Sequence, residues 1–340
     1  MSAPIEFDPP SDPIYLQIPL RHVLELPVLG VTVRYESNSA AVLETVEETF
    51  GVWRGLLQSP ELIDAGTVRV RLIIHGGDEG PAAHAKVSWR LLDPHHLLIH
   101  TPGSVGLMDM DRQDSVVYFT PALLADRAHF EYAVLHTMTV PLLNAFARYP
   151  VHAAFVAKGQ VGLLLAGPAG TGKSTLAFEA HRHGFRVLSD DVCHIQLRPS
   201  FRAWGELPGQ VYLTPQARAR FPELAGEVPT LVANGTEKVF IQFPYAWSGS
   251  RGGPPMTPQA AVCLLERNGG NASLAAVAPQ EIETFLRAGL GIARVMFGDG
   301  VDEALARVAA GGGWKLSLSD DPQDALPFLD TIFTALEQRD

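Results

Sequence analysis

Residues Gly167 to Ser174 match the pattern GxxxxGK[ST] at every fixed position. In such a loop, glycines allow a tight turn whose backbone N–H groups converge on one anion, and the following helix adds the positive end of its dipole. Lys173 is expected to reach the outer phosphates, and Ser174 to offer a hydroxyl to Mg²⁺. The pattern predicts that ATP phosphates contact Gly167, Ala169, Gly170, Thr171, Gly172, Lys173, Ser174 and Thr175.

Two adjacent carboxylates follow the strand predicted over residues 185–189. A right-handed crossover helix makes this strand parallel to the strand at 160–166 that enters the loop, so Asp190 and Asp191 should emerge beside the phosphates. Carboxylates there suit two tasks, which are holding Mg²⁺ and accepting a proton from an attacking hydroxyl. We therefore predict Ser174, Asp190 and Asp191 as metal ligands and Asp190 as a catalytic residue.

A histidine precedes the loop. If residues 151–157 and 160–166 form a hairpin that turns at Lys158–Gly159, His152 lies opposite Leu165, close to the first loop glycine. This places an imidazole at the phosphate end, and we predict that His152 acts in catalysis together with Lys173 and Asp190.

Other charged residues receive ordinary interpretations. His181, Arg182 and His183 before Gly184 are typical of the last turn of a helix, and His95, His96 and His100 are typical of a solvated edge. Glu206 and Lys238 are interpreted as surface loop charges, with a place near the metal or a phosphate as the alternative.

Two α/β domains are predicted around these residues. Short apolar runs at 14–20, 28–35, 67–74 and 87–92 indicate strands, and residues 38–53 and 129–149 indicate helices. Residues 1–134 are predicted as an N-terminal α/β domain whose role stays open, with recognition of the acceptor as one hypothesis, and residues 135–340 as the catalytic domain. Beyond residue 198 come interrupted strands and helices near 279–296, 301–310 and 321–338.

Composition and charge disfavour some classes of partner and favour one cellular location. The 340 residues carry 26 basic and 37 acidic side chains, and the net charge of -11 disfavours nucleic acid or an anionic membrane as a partner. Cys193 and Cys263 have no metal-ligand spacing and are predicted to be packed thiols. Residues 1–13 lack the features of a signal peptide, and no apolar run reaches 18 residues, so we expect a cytoplasmic protein.

His152, the loop that ends in Gly172-Lys173-Ser174, and the run Leu188-Ser189-Asp190-Asp191 together resemble the HPr serine kinase/phosphorylase family over residues 135–197. The resemblance implies a mixed-sheet P-loop kinase domain of the HPr-kinase/phosphoenolpyruvate carboxykinase type, preceded by a smaller α/β domain. It also implies that Asp190 is the general base and that His152 orients or stabilises the transferred phosphoryl group. Residues 287–292 partly repeat the family's HPr-contacting stretch far downstream, which we interpret as coincidence.

The leading functional hypothesis is an ATP- and Mg²⁺-dependent kinase that phosphorylates a serine of a peptide or small protein, as in the lasso-peptide branch of such enzymes. Two alternatives remain. One is a kinase for a small-molecule alcohol, and the other is a nucleotide-gated binding protein with incidental ATPase activity. GTP or pyrophosphate as donor, the reverse dephosphorylation and a homo-oligomer remain open.

Overall fold

The computed structural model describes residues 18–76, 88–101, 104–231, 236–248, 252–291 and 293–338. The chain forms two compact units, and the main segment of the first ends at Phe146, with Thr236 also assigned to it. The division predicted after residue 134 lies earlier in the chain, because the helical segments up to Phe146 belong to the first unit. Within the described residues, no helix combines the length and the apolar character that crossing a membrane requires.

The first unit contains one seven-stranded mixed sheet. Its strands are His22–Val28 (β1), Val31–Ser37 (β2), Asp64–Ile74 (β3), Ser88–Asp93 (β4), His96–Thr101 (β5), Ser104–Asp109 (β6) and Asp114–Phe119 (β7). Their spatial order is β1-β2-β3-β7-β6-β5-β4. The strand β3 is parallel to both of its neighbours, and all other pairs are antiparallel.

Helical segments of the first unit are shorter than predicted. They are the α-helices Ala40–Phe50 (α1), Pro121–Ala125 (α2), Arg127–Phe130 (α3) and Thr137–Thr139 (α4), a π-helical turn at Glu131–His136, and 3₁₀ segments at Gly51–Gln58, Pro60–Leu62 and Val140–Phe146. The helix predicted over 129–149 is therefore irregular and ends at Phe146. Pro141 lies in this stretch and has no N–H to donate to the helix ladder.

The observed strands of the first unit also differ from the predicted ones. The run 28–35 spans a hairpin, because the chain reverses at Leu29 and Gly30, which both have positive φ. The runs 67–74 and 87–92 correspond to β3 and β4. Of the run 14–20, residues 14–17 lie outside the described part, and residues 18–20 form no strand.

The second unit contains thirteen described strands in three sheets. The six-stranded sheet comprises Ala154–Lys158 (β9), Val161–Ala166 (β10), Arg186–Ser189 (β11), Gln259–Arg267 (β18), Ser273–Val277 (β19) and Gly313–Leu318 (β20). The other strands are Arg148–His152 (β8), Val192–Gln196 (β12), Arg202–Gly205 (β13), Gln210–Leu213 (β14), Thr230–Leu231 (β15), Glu237–Gln242 (β16) and Met256–Thr257 (β17). The sheet orders are β11-β9-β10-β18-β20-β19, β17-β13-β12-β8 and β14-β16-β15.

Helices cover both faces of the six-stranded sheet. They are Lys173–Arg182 (α5), Pro215–Arg218 (α6), Pro279–Ala288 (α7), Ala293–Ala309 (α8) and Leu326–Glu337 (α9), with 3₁₀ turns at Pro222–Leu224 and Pro322–Ala325. Leu163 and Leu165 of β10 pack with residues of α5 and α9, whereas Leu164 and Ala166 pack with residues of α7 and α8. The alternation of side chains along a strand thus builds two cores, one on each face. The fold is α/β with mixed sheets.

Two predictions for the second unit are corrected. The helix predicted over 279–296 ends at Ala288, where Gly289 and Gly291 follow, and α8 is interrupted at Gly298, where φ is 53°. The hairpin between β9 and β10 pairs Lys158 with Val161, so Ala154, not His152, lies opposite Leu165. The turn has moved to Gly159–Gln160, because Gly159 provides the positive φ that such a tight turn needs.

Candidate functional site

The predicted phosphate loop joins the buried strand β10 to the amino end of α5. Gly170 and Gly172 have φ of 79° and 116°, a backbone region that side chains rarely adopt. A Cβ on Gly167 would lie 2.9 Å from the carbonyl oxygen of Leu265, so the loop passes close to β18 at that position. The loop glycines are therefore required by backbone geometry, and the free N–H groups at the start of α5 lie next to them.

The side chain of Lys173 lies folded over this loop. Its Nζ donates hydrogen bonds to the carbonyl oxygens of Gly167, at 2.8 Å, and Pro168, at 3.3 Å. Only 8% of the residue is exposed, and burial lowers the pKa of its ammonium group, while Asp191 and Asp190 act in the opposite direction. A buried ammonium group that holds only carbonyl oxygens is suited to exchange them for the oxygens of a phosphate.

Asp190 lies where β11 ends, at the same sheet edge as the loop. Both β10 and β11 are antiparallel to β9, which lies between them, so β10 and β11 point the same way. The carboxylate Oδ2 accepts a hydrogen bond of 2.8 Å from the backbone N–H of Tyr212, and Oδ1 is buried without a hydrogen-bond partner. Burial raises the pKa of Asp190 to about 6, against the smaller effects of Tyr212 N–H and the Ser174 hydroxyl.

Residues of this edge fit a magnesium ion. Mg²⁺ in proteins takes one or two carboxylates together with a hydroxyl, waters and substrate phosphates. Oδ1 of Asp190 lacks a partner, and the Ser174 hydroxyl is near enough to influence the Asp190 carboxyl. Within the described ranges, no three His, Cys, Asp or Glu side chains converge as they would around a protein-bound metal. One carboxylate beside one hydroxyl suits an ion whose other ligands are waters and phosphate oxygens.

His152 reaches the loop by a route that differs from the predicted one. It ends β8, which pairs with β12 and not with β10, and this register places His152 opposite Val192. Its Nδ1 lies 3.2 Å from Oδ1 of Asp191, and both side chains are largely exposed. Asp191 thus contacts the imidazole, whereas the carboxyl of Asp190 is buried near the backbone N–H of Tyr212 and the hydroxyl of Ser174. The roles predicted for these side chains in catalysis and metal binding stay predictions.

A cavity of about 350 Å³, here called the acceptor-side cavity, adjoins His152 and the first part of the loop. It is lined by Pro150, Val151, His152, Gly167, Pro168, Ala169, Val192, Phe285, Leu286, Ala288, Gly289 and Leu290. The last five residues come from the end of α7 and the turn after it. They overlap the segment 287–292 that we interpreted as coincidental, whose Ile292 lies outside the described residues. The structure brings the turn after α7 beside the loop, although the two are far apart along the chain.

Glu206 and Lys238 are not isolated surface charges. Oε2 of Glu206 lies 2.8 Å from Nε2 of the buried His194. Lys238 lies with its Nζ 5.9 Å from the centre of the Tyr212 ring, and its charge lowers the pKa values of both Asp190 and Lys173. Lys238 is therefore a second positive charge near the loop, which sequence reasoning ranked too low.

The remaining histidine clusters have structural partners. Gly184, with φ of 101°, donates its N–H to His181, and Phe185 donates to Ala180, which is the predicted glycine-terminated helix end. His95 and His96 form pairs with Asp111 and Asp93 at the surface. Both cysteines are buried thiols, as predicted.

The buried carboxyl of Asp190 predicts how the stability of the metal-free and nucleotide-free protein depends on pH. Its pKa is about 6 in the folded chain and 3.8 ordinarily, so the unfolded chain loses the proton first as the pH rises. The carboxyl therefore destabilises the fold increasingly from about pH 4 to about pH 6, and fully above that. We expect Asp190→Asn to raise the free energy of unfolding by up to about 3 kcal/mol at pH 8, and by less than about 1 kcal/mol at pH 4.

Urea denaturation of both proteins in EDTA at the two pH values measures this difference. Equal stabilities at pH 8 would show that the carboxyl is not held in a costly environment.

Comparisons with known proteins find similarity among solved structures. No family model matches the chain, and no curated protein matches it. Among solved structures, the chain is similar to the Hpr(Ser) kinase/phosphatase from Coxiella burnetii, with 12% sequence identity and a TM-score of 0.26. The similarity covers 56% of this chain and 97% of that one.

Proposed function

We propose that this chain is a kinase that transfers the γ-phosphoryl group of ATP, bound with Mg²⁺, to a hydroxyl group, namely a serine of a peptide or small protein. One observation carries the proposal. A buried carboxylate of raised pKa, Asp190, and an imidazole–carboxylate pair, His152 and Asp191, lie at the edge of a phosphate loop that adjoins a cavity. Convergence of titratable groups on one cleft is typical of a catalytic site.

The side chains divide the chemistry among them. Asp190 takes the proton of the acceptor hydroxyl as its oxygen attacks the γ-phosphorus, and the bond from that phosphorus to the bridging oxygen breaks, leaving ADP. When the nucleotide binds, the ammonium group of Lys173 breaks its hydrogen bonds to the loop carbonyl oxygens and forms hydrogen bonds to phosphate oxygens. His152, whose Nδ1 faces Asp191, donates a hydrogen bond from Nε2 to the transferred group when both ring nitrogens carry protons. Ser174 and Asp190 would hold Mg²⁺, which neutralises phosphate charge when bound.

The acceptor-side cavity supports a peptide as the acceptor. Apart from His152 and the loop, most of its lining is apolar, with Val151, Val192, Phe285, Leu286 and Leu290 among it. A serine beside an apolar side chain fits such a cavity better than a highly polar small alcohol does, because unpaired polar groups lose hydrogen bonds there. We therefore expect acceptors with an apolar residue next to the serine.

The test is a mass-spectrometric screen. The purified chain is incubated with ATP and Mg²⁺ and a serine peptide library whose flanking residues are either apolar or charged, and small alcohols form a parallel set. We expect a gain of one phosphoryl group on peptides with apolar flanks, and none with Asp190→Asn. Release of free phosphate without any labelled acceptor would contradict the proposal, and labelling of small alcohols alone would replace the peptide with a metabolite.

A further inference from the structure

A second cavity of about 380 Å³ lies along α5, and we call it the α5 cavity. It is lined by Glu179 and Arg182 of α5, by Arg220 and Phe221, and by residues 320–323 after β20. Phe221 packs in the core on the α5 face of the sheet, whereas Leu286 beside the acceptor-side cavity packs in the core on the opposite face. The two cavities therefore lie on opposite faces of the sheet whose edge carries the phosphate loop.

The strands next to the loop direct their ends toward the α5 cavity. The strands β10, β18 and β20 are mutually parallel neighbours, so the carboxyl ends of all three lie at one edge. Arg267 ends β18, and Ser319 and Asp320 follow β20. Ligands of parallel sheets bind beyond the carboxyl ends of the strands, which is where these residues lie.

Arg267 connects the loop to this cavity. Its Nε donates a hydrogen bond of 3.0 Å to the carbonyl oxygen of Thr171, and its Nη1 lies 3.6 Å from the carboxylate of Asp320, which lines the cavity. The Arg267 side chain is 40% exposed. A guanidinium group that is partly exposed can stack on a planar aromatic ring.

Distance along the helix indicates what part of a ligand the α5 cavity would hold. Glu179 and Arg182 lie about 9 Å and about 14 Å along the axis from Lys173, at about 1.5 Å per residue. A ligand anchored by its phosphates at the amino end of α5 therefore reaches this cavity only through an extended group such as a ribose that carries a base. Carboxylates such as Asp320 and Asp321 are suitable acceptors for ribose hydroxyl groups.

We propose that the α5 cavity binds the nucleoside part of the phosphoryl donor, with Arg267 against the face of the base and Asp320 on the ribose. The inference rests on the proposed function for the position of the phosphates. Donor and acceptor are then bound on opposite faces of the sheet whose edge carries the loop. The donor in this proposal is a nucleoside triphosphate. Pyrophosphate has no nucleoside that the α5 cavity could bind.

Equilibrium binding of ATP and of inorganic tripolyphosphate, each with Mg²⁺, tests the inference by calorimetry on the full chain. We expect ATP to bind at least about 10-fold more tightly than tripolyphosphate, because tripolyphosphate has no nucleoside. Asp320→Ala and Arg267→Ala should each weaken ATP binding by about 10-fold and leave tripolyphosphate binding within about 2-fold. The Asp320 side chain is 99% exposed, so its removal should not disturb folding.

Asp299→Ala on α8, an exposed aspartate on a helix at the other face, is the matched control and should change neither affinity. Equal affinities of the unmodified chain for ATP and tripolyphosphate would overturn the nucleoside site while leaving the phosphate loop in place. Loss of both affinities in the variants would also overturn it, because it would show that the residues only support the loop. If neither ligand binds the unmodified chain, the proposed function itself fails.

Discussion

Asp190→Asn is expected to lower the turnover of phosphoryl transfer by about 10²–10⁴-fold, the usual contribution of a general base. Asparagine keeps the shape of the side chain and still accepts the hydrogen bond from the N–H of Tyr212, but it cannot take the proton of the acceptor hydroxyl. The variant should therefore bind the nucleotide with a dissociation constant within about 10-fold of the original and transfer the phosphoryl group slowly.

Single-turnover rates with the best peptide from the screen, together with calorimetric nucleotide binding, separate these two effects. The pH dependence of kcat/KM reports the free enzyme, in which burial raises the pKa of Asp190 to about 6 in the absence of metal, so kcat/KM should rise with pH through about 6 as the base ionises. The matched control is Asp330→Asn on α9, which removes a carboxylate bound to Lys158 and His183. A loss of nucleotide affinity as large as the loss of rate would assign Asp190 to metal binding alone.

Lys173→Met is expected to lower kcat/KM by about 10²–10³-fold, comparable to the loss of one donor that stabilises transition-state charge. Methionine retains most of the apolar stem but removes the ammonium group that now bonds to the carbonyl oxygens of Gly167 and Pro168. Nucleotide binding should also weaken, because the charge acts on the ground state as well as on the transition state.

Lys158→Met provides the control, since Lys158 lies at the end of β9 and pairs with Asp330. Its turnover should match that of the unmodified protein. The thermal unfolding temperatures of both variants show whether the fold is disturbed when the carbonyl oxygens of Gly167 and Pro168 lose their hydrogen bonds from Lys173. If kcat/KM is unchanged in a folded Lys173→Met protein, the loop takes no part in the reaction.

Local patterns in the sequence predicted the elements around the loop well. The strand before Gly167, the helix from Lys173 and its glycine-terminated end at Gly184 all appear in the structure. These features depend on residues within a few positions of one another, such as glycines with positive φ and a cationic last turn. The position of Asp190 at the loop edge was also predictable, because the strand that precedes it points the same way as β10.

Partners that are distant along the chain were not predictable in the same way. His152 was expected opposite Leu165, but Gly159 moved the turn and β8 paired with β12. The turn after α7 was assigned no role, although Ala288 and Leu290 line the acceptor-side cavity. In both cases several pairings satisfied the same apolar pattern, and only packing of the whole unit selected one.

The amino-acid sequence by itself determined the glycine-rich loop at residues 167–174, its strand and helix, and the acidic pair near it, because short-range backbone preferences are decided by the residues themselves. The tertiary structure decided which groups face that loop: His152 held by Asp191, Lys238 near Asp190, and a cavity on each face of the sheet. Such contacts depend on strand register and on side-chain burial across the unit. These are collective properties, because each pairing must be compatible with the packing of all the others.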